Sequence, residues 1–75
     1  MQSSVDQLIC RGKTSWPELL MKNGEEAAVV IESENPFVRA MVIKEGTPVS
    51  YIFSCNRVLV VVNECGNVIS IPVVG

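Results

Sequence analysis

Residues 38–62 read VRAMVIKEGTPVSYIFSCNRVLVVV. At the start of this stretch, small apolar side chains alternate with Arg39 and Met41 over residues 38–43. At its end, valines occupy every second position of residues 57–62. Because side chains of an extended chain point to alternate sides, this period of two predicts a strand at each end of the stretch.

The segment between the two predicted strands, residues 45–56, has no helical period. Parallel strands need a connection of about a dozen residues, which is usually helical. Gly46, Pro48 and Ser50 favour extended chain here instead. Loops of this length within a compact domain are usually functional, so residues 45–56 are the first place to look for a functional site.

A helix is predicted before the first strand. Asn23 can cap it, and Glu26 three residues later completes a capping box. Three apolar side chains at helical spacing form its expected buried face: Ala27, Val30 and Ile31. β-Branching at residues 29–31 opposes the helix, and Asn35-Pro36 ends it.

The other segments complete one small domain over residues 10–75, preceded by a loose tail at residues 1–9. Trp16, beside a proline and two leucines, is the expected core anchor. Residues 63–67 predict a turn, and residues 68–72 a short strand at the sheet edge. The predicted fold class is α+β, with a single helix packed on a small mixed β-sheet.

Composition and charge exclude several classes of function. The net charge is −2, and the basic residues are scattered rather than clustered as nucleic-acid binding would require. The longest apolar run, Val58–Val62, is far shorter than the roughly 20 residues of a membrane span. The first residues lack the basic and apolar regions of a signal peptide, so none is visible.

Enzymatic chemistry has little support in the sequence. The chain has no histidine, which is the commonest general base and metal ligand. Its three cysteines, Cys10, Cys55 and Cys65, lack the CxxC spacing of zinc and redox sites. We therefore expect neither an enzyme nor a bound metal or cofactor.

Five motifs occur in a distinctive order: CRGKTSWPEL from Cys10, IESENP from Ile31, EGTPVS from Glu45, FSCNRV from Phe53 and PVVG from Pro72. In their order and spacing they resemble the potato inhibitor I family of serine protease inhibitors. The resemblance implies one helix against a small sheet whose two central parallel strands are joined by a long exposed reactive-site loop. It also implies tight, reversible, substrate-like inhibition of a serine endopeptidase by a monomer, with a role in plant defence.

The resemblance places the reactive bond between Tyr51 and Ile52. The protease-binding loop would then contain seven further residues: Gly46, Thr47, Pro48, Val49, Ser50, Phe53 and Ser54. An aromatic side chain before the reactive bond suits an apolar specificity pocket, so the expected targets are chymotrypsin- or subtilisin-like proteases rather than trypsin. Without the resemblance, Tyr51-Ile52 would be interpreted as an exposed pair in a hairpin or a partly buried loop.

The support beneath the loop departs from the family pattern. Family members brace it with two arginines, paired with an acid after the reactive bond and a threonine before it. Arg57 matches the first arginine, whereas Leu59, Ile52 and Ser50 stand at the other three positions. We expect Ile52 to pack toward Leu59 and Arg57 to bond loop carbonyls or the C-terminal end at Gly75. The alternative is a non-inhibitory structural or interaction domain that kept the fold and lost its loop bracing.

In disulfide-bearing members of the family, the cysteines matching Cys10 and Cys55 form a bridge, which leaves Cys65 without a partner. The loop-entropy estimate for such a bridge is roughly 4 kcal/mol. If the bridge forms, we expect a secreted or vacuolar protein, because cytosolic thiols stay reduced.

Overall fold

The computed structural model describes residues 10–50 and 52–75. Its elements are a short 3-10 helix at Pro17–Leu19, helix α1 at Gly24–Glu34, and strands β1 at Arg39–Lys44 and β2 at Arg57–Val62. The predicted tail, residues 1–9, lies outside the described residues.

Helix α1 begins and ends where its capping residues predict. The Asn23 side chain accepts a hydrogen bond from the Glu26 N–H at 3.1 Å, which satisfies one of the free donors of the first turn. At the other end, the Asn35 N–H donates to the Ile31 carbonyl. Ala27 and Ile31 are fully buried, and Val30 packs against the core while partly exposed.

Strands β1 and β2 pair in parallel, in a register that joins Arg39 to Arg57 and Lys44 to Val62. The alternating valines of β2 are buried, whereas the side chains between them are half-exposed. Helix α1 packs on both strands and covers this apolar face. The α+β class is confirmed, and the predicted bounds of β2 are those observed.

The predicted C-terminal strand at residues 68–72 is wrong. The C-terminal segment makes only isolated antiparallel bridges, which join Val62 to Val68, Val58 to Val74 and Ser15 to Val73. Pro72 has no N–H to donate to a ladder, and its carbonyl accepts from the Trp16 N–H at 3.0 Å. The segment thus divides its hydrogen bonds between β2 and the N-terminal part of the chain, so no continuous strand forms.

One core holds these parts together. Trp16 is fully buried in it, as predicted, and its indole N–H donates to Glu34 at 2.9 Å. The other buried apolar residues are Leu19, Ala27, Ile31, Val38, Val58, Val60, Val62, Val68 and Val74. The predicted turn at residues 63–67 is confirmed, and Gly66 in it adopts φ of +85°, a conformation that favours glycine.

Candidate functional site

The connection from β1 to β2 is largely exposed. Of the predicted protease-binding residues, Val49 and Ser54 are half-buried, and the other described ones are exposed: Gly46, Thr47, Pro48, Ser50, Ile52 and Phe53. Tyr51 lies outside the described residues. Because β1 and β2 are parallel, this connection must run back along the sheet, which leaves it at the molecular surface.

The side chain of Arg57, at the start of β2, lies beneath the loop. Its Nη2 donates to the carbonyls of Ser50 at 3.2 Å and Ile52 at 3.0 Å. Its Nε donates to the Gly75 carbonyl at 2.8 Å. One guanidinium therefore ties the backbone on both sides of residue 51 to the C-terminal end of the domain.

Two serine hydroxyls give the loop further internal bonds. Ser50 Oγ accepts from the Ile52 N–H, and Ser54 Oγ accepts from the Asn56 N–H, each at 3.2 Å. Such bonds from a hydroxyl to the backbone two residues on stabilise local turns. The loop backbone is thus held by hydrogen bonds rather than by burial of its apolar side chains.

The expected packing of Ile52 toward Leu59 is wrong. Ile52 is 79% exposed, which leaves too little buried surface for an apolar brace. Leu59 is half-buried and stands opposite Met41 in the sheet register. The Ile52 residue is instead held through its carbonyl by Arg57, and its side chain faces solvent.

Phe53 lies beside the C-terminal residue of the domain, a proximity that sequence reasoning missed. Two of its ring carbons lie 3.8 Å from the point where a Cβ on Gly75 would stand, so the ring lies beside this glycine. Gly75 itself is fixed, since its N–H donates to the Arg57 carbonyl at 2.9 Å. No local sequence signal pairs these residues, because they meet only when the C-terminal end returns to β2.

A disulfide joins Cys10 to Cys55, with their Cα atoms 5.1 Å apart. It attaches the N-terminal segment to the loop three residues after Ile52. Cys65 is a free, exposed thiol in the turn at residues 63–67.

Charged side chains pair at the surface of the segment that follows Cys10. Lys13 Nζ donates to Glu18 and, at 3.1 Å, to Glu34. The hydrogen bond to Glu18 raises the pKa of Lys13, with a smaller contribution from the bond to Glu34. The same bond lowers the pKa of Glu18. These groups are exposed, so the pairs contribute little to holding the segment or to the stability of the fold.

Among the described residues, no three metal-ligating side chains lie together, and no helix has the length and apolarity to cross a membrane. The site consists of an exposed backbone segment held from below. Such a segment can bind in the cleft of an enzyme that recognises extended chains.

Comparison with known proteins identifies relatives of this chain in sequence and in structure. A sequence profile of the potato inhibitor I family matches residues 9–75. The inhibitor of trypsin and Hageman factor from Cucurbita maxima is 48% identical over 66 residues, which cover 88% of this chain and 97% of that protein. A trypsin/subtilisin inhibitor from Amaranthus caudatus is 46% identical over 63 residues, covering 84% of this chain and 91% of that protein. The crystal structure of a bitter gourd trypsin inhibitor superposes with a TM-score of 0.86, at 48% identity, covering 88% of this chain and 97% of that one.

The fold, the braced loop and these relatives define a protease inhibitor and not an enzyme. The chain belongs to the potato inhibitor I family.

Proposed function

We propose that this protein, as a monomer, inhibits a chymotrypsin- or subtilisin-like serine endopeptidase by tight, reversible, substrate-like binding. Its reactive bond joins Tyr51 and Ile52, and residues 46–54 occupy the protease cleft. The observation that carries the proposal is the triple hydrogen bonding of Arg57, which holds the carbonyls on both sides of Tyr51.

The mechanism follows from this support. A protease binds an extended peptide by pairing with its backbone. A loop already held in the bound shape loses little conformational entropy on binding. If the bond is cut, the new ends remain tethered, one by Arg57 at Ser50 and the other by the disulfide at Cys55. The tether keeps the new amine near the acyl-enzyme and favours religation over release.

The proposed targets follow from Tyr51. An aromatic side chain fits an apolar specificity pocket, whereas trypsin's pocket carries an acid that selects cations. Relatives of this chain are named as inhibitors of trypsin, in one case together with subtilisin. We expect this chain to favour chymotrypsin and subtilisin over trypsin.

The test is a titration of fixed amounts of chymotrypsin, subtilisin and trypsin with the intact protein. Stoichiometric loss of chymotrypsin or subtilisin activity, at one inhibitor per enzyme, is the expected result.

The alternative function, a non-inhibitory interaction domain, is favoured by one observation: Ile52 is exposed rather than braced. Unchanged protease activity, or rapid cleavage after Tyr51, would support that alternative.

A further inference from the structure

The segment Cys10–Lys13, here called the N-terminal strap, accepts two hydrogen bonds from one buried side chain. Asn35, at the end of α1, is completely buried. Its Nδ2 donates to the Arg11 carbonyl at 2.8 Å and to the Lys13 carbonyl at 2.9 Å. Its Oδ1 accepts from the Phe37 N–H at 2.9 Å. Both donors and the carbonyl oxygen of this amide are therefore used.

Gly12 lies directly against this amide. A Cβ on Gly12 would stand 2.8 Å from Asn35 Nδ2, and the glycine has φ of +78°. A side chain there would be strained and would also push the strap away from Asn35. The strap and the amide are thus matched in both shape and hydrogen bonding.

Of the strap's other contacts, Cys10 packs partly buried against the core, whereas those of Arg11 and Lys13 are at the surface. The Arg11 guanidinium lies 5.2 Å from the centre of the Phe37 ring, and Lys13 pairs with exposed carboxylates. Exposed contacts of these kinds contribute little to holding a segment in place. The two hydrogen bonds from the buried Asn35 are therefore the main restraint on residues 11–13, next to Cys10.

The strap leads directly into the loop through the disulfide between Cys10 and Cys55. A crosslink restrains a loop only as well as the segment at its other end is itself fixed. We infer that Asn35 is a positioning residue for the inhibitory loop, acting through the strap and the disulfide to hold the chain after the reactive bond. This inference rests on the proposed function for its effect on inhibition.

The first test measures the equilibrium of the Cys10–Cys55 disulfide with glutathione, without any protease. Asn35→Asp keeps the shape of the side chain and removes both N–H donors. The disulfide should then be easier to reduce, with the effective concentration of one thiol at the other lowered about tenfold or more. Gly12→Ala leaves Asn35 intact, displaces the strap from the other side, and should act in the same direction. Trp16 fluorescence shows whether each variant is folded in its oxidised and reduced forms.

The matched control is Asn23→Ala, which removes the cap of α1 at the end of the helix opposite Asn35. It should lower thermal stability without changing the disulfide equilibrium of the folded protein. If the Asn35 and Gly12 variants fold yet leave that equilibrium within twofold of the parent, or if Asn23→Ala shifts it equally, the inference is overturned.

The second test is a double-mutant cycle in which the rate of loop hydrolysis by subtilisin is measured. The cleavage product is identified by mass spectrometry. Asn35→Asp should speed hydrolysis severalfold in the parent protein. It should have no effect in a Cys10→Ser/Cys55→Ser background, because the connection to the loop is gone. Equal acceleration in both backgrounds would mean that Asn35 acts through overall stability and not through the disulfide.

The two tests also separate this inference from the proposed function. A parent protein that inhibits neither chymotrypsin nor subtilisin would count against the proposed function. The glutathione measurement would still decide whether Asn35 positions the disulfide.

Discussion

At the scale of single residues, Arg57 determines how the loop is held. Its planar guanidinium donates in fixed directions. This geometry lets one side chain reach three carbonyl oxygens, at Ser50, Ile52 and Gly75. A lysine ammonium is a compact charge that cannot reproduce this fork.

Arg57→Lys should therefore weaken the loop without unfolding the domain. A hydrogen bond to a charged group contributes about 1.5–3 kcal/mol, so losing even one should speed loop hydrolysis by about tenfold or more. The measurement is the rate of cleavage by subtilisin, with Lys44→Arg as a control for the exchange of one cation for another. Hydrolysis at the parent rate would show that these bonds do not hold the loop.

Tyr51 carries the second prediction at this scale. Tyr51→Lys should shift inhibition from chymotrypsin toward trypsin, because the acid in trypsin's specificity pocket would pair with the new ammonium. Inhibition constants for both enzymes, measured for parent and variant, check it. An unchanged preference would mean that Tyr51 does not precede the reactive bond.

At the scale of elements, only one of two side chains on the same face of β2 forms hydrogen bonds to the loop. Arg57 and Leu59 lie on the same face of β2, because strand side chains alternate with a period of two. Arg57 donates to the loop, whereas Leu59 has no polar group that could donate or accept, and Ile52 is exposed. Of these two positions on β2, only Arg57 braces the loop, and Leu59 does not.

Restoring a charged pair should complete the brace. Ile52→Asp together with Leu59→Arg should slow hydrolysis of the loop by subtilisin relative to the parent. Leu59→Arg alone should speed it, because two guanidinium groups would then stand together without an acid. Ile52→Asp alone should change little, since the parent side chain is already exposed. Additive effects of the two changes would mean that the positions do not interact.

The contact between Lys13 and Glu18, in the short 3-10 helix, predicts a pH dependence. The hydrogen bond from Lys13 holds the pKa of Glu18 below its ordinary value of 4.5. A lowered folded-state pKa gives stability that is present above 4.5 and is lost as the pH falls through the folded value. Lys13 has a raised pKa, so its contribution is present below 10.5 and is lost only at more alkaline pH.

Glu18→Gln should therefore reduce the loss of stability between pH 6 and pH 3, by a small amount because the pair is exposed. Urea unfolding midpoints at the two pH values, for parent and variant, provide the measurement. An identical loss in both proteins would show that the pair does not contribute. Glu25→Gln, in the first turn of α1, is the control for removal of one carboxylate.

At the scale of the whole molecule, one small core and one crosslink hold the domain. A chain of 75 residues buries only about 60% of its unfolded surface, so its stability is marginal. The disulfide joins cysteines 45 residues apart and lowers the entropy of the unfolded chain by the equivalent of roughly 4 kcal/mol. That amount is comparable to the entire stability of many small domains.

Cys10→Ser/Cys55→Ser should therefore lower the free energy of unfolding by up to about 4 kcal/mol in urea titrations. Cys65→Ser is the matched control and should change little, because Cys65 is free and exposed. Non-reducing peptide mapping of the parent should recover Cys10 linked to Cys55, with Cys65 open to alkylation. A bridge that includes Cys65 would contradict the pairing.

Much of the fold could be predicted from local spacing. The alternation of valines defined β2, and Asn23 with Glu26 defined the start of α1, because periods and caps depend on neighbouring residues alone. Trp16 was identified as the core anchor from its type and setting. The long connection between two strands indicated where a functional loop would lie.

The tertiary structure decided which distant groups meet. Asn35 contacts the carbonyl of Arg11, 24 residues earlier, and Phe53 lies beside Gly75. Arg57 holds the Ile52 carbonyl while the Ile52 side chain faces solvent. Residues 68–72 form no strand because their partners lie on two separate segments. The local sequence pattern determines which conformation each segment prefers. Hydrogen bonds between segments that are remote in sequence form only when the chain folds around its core.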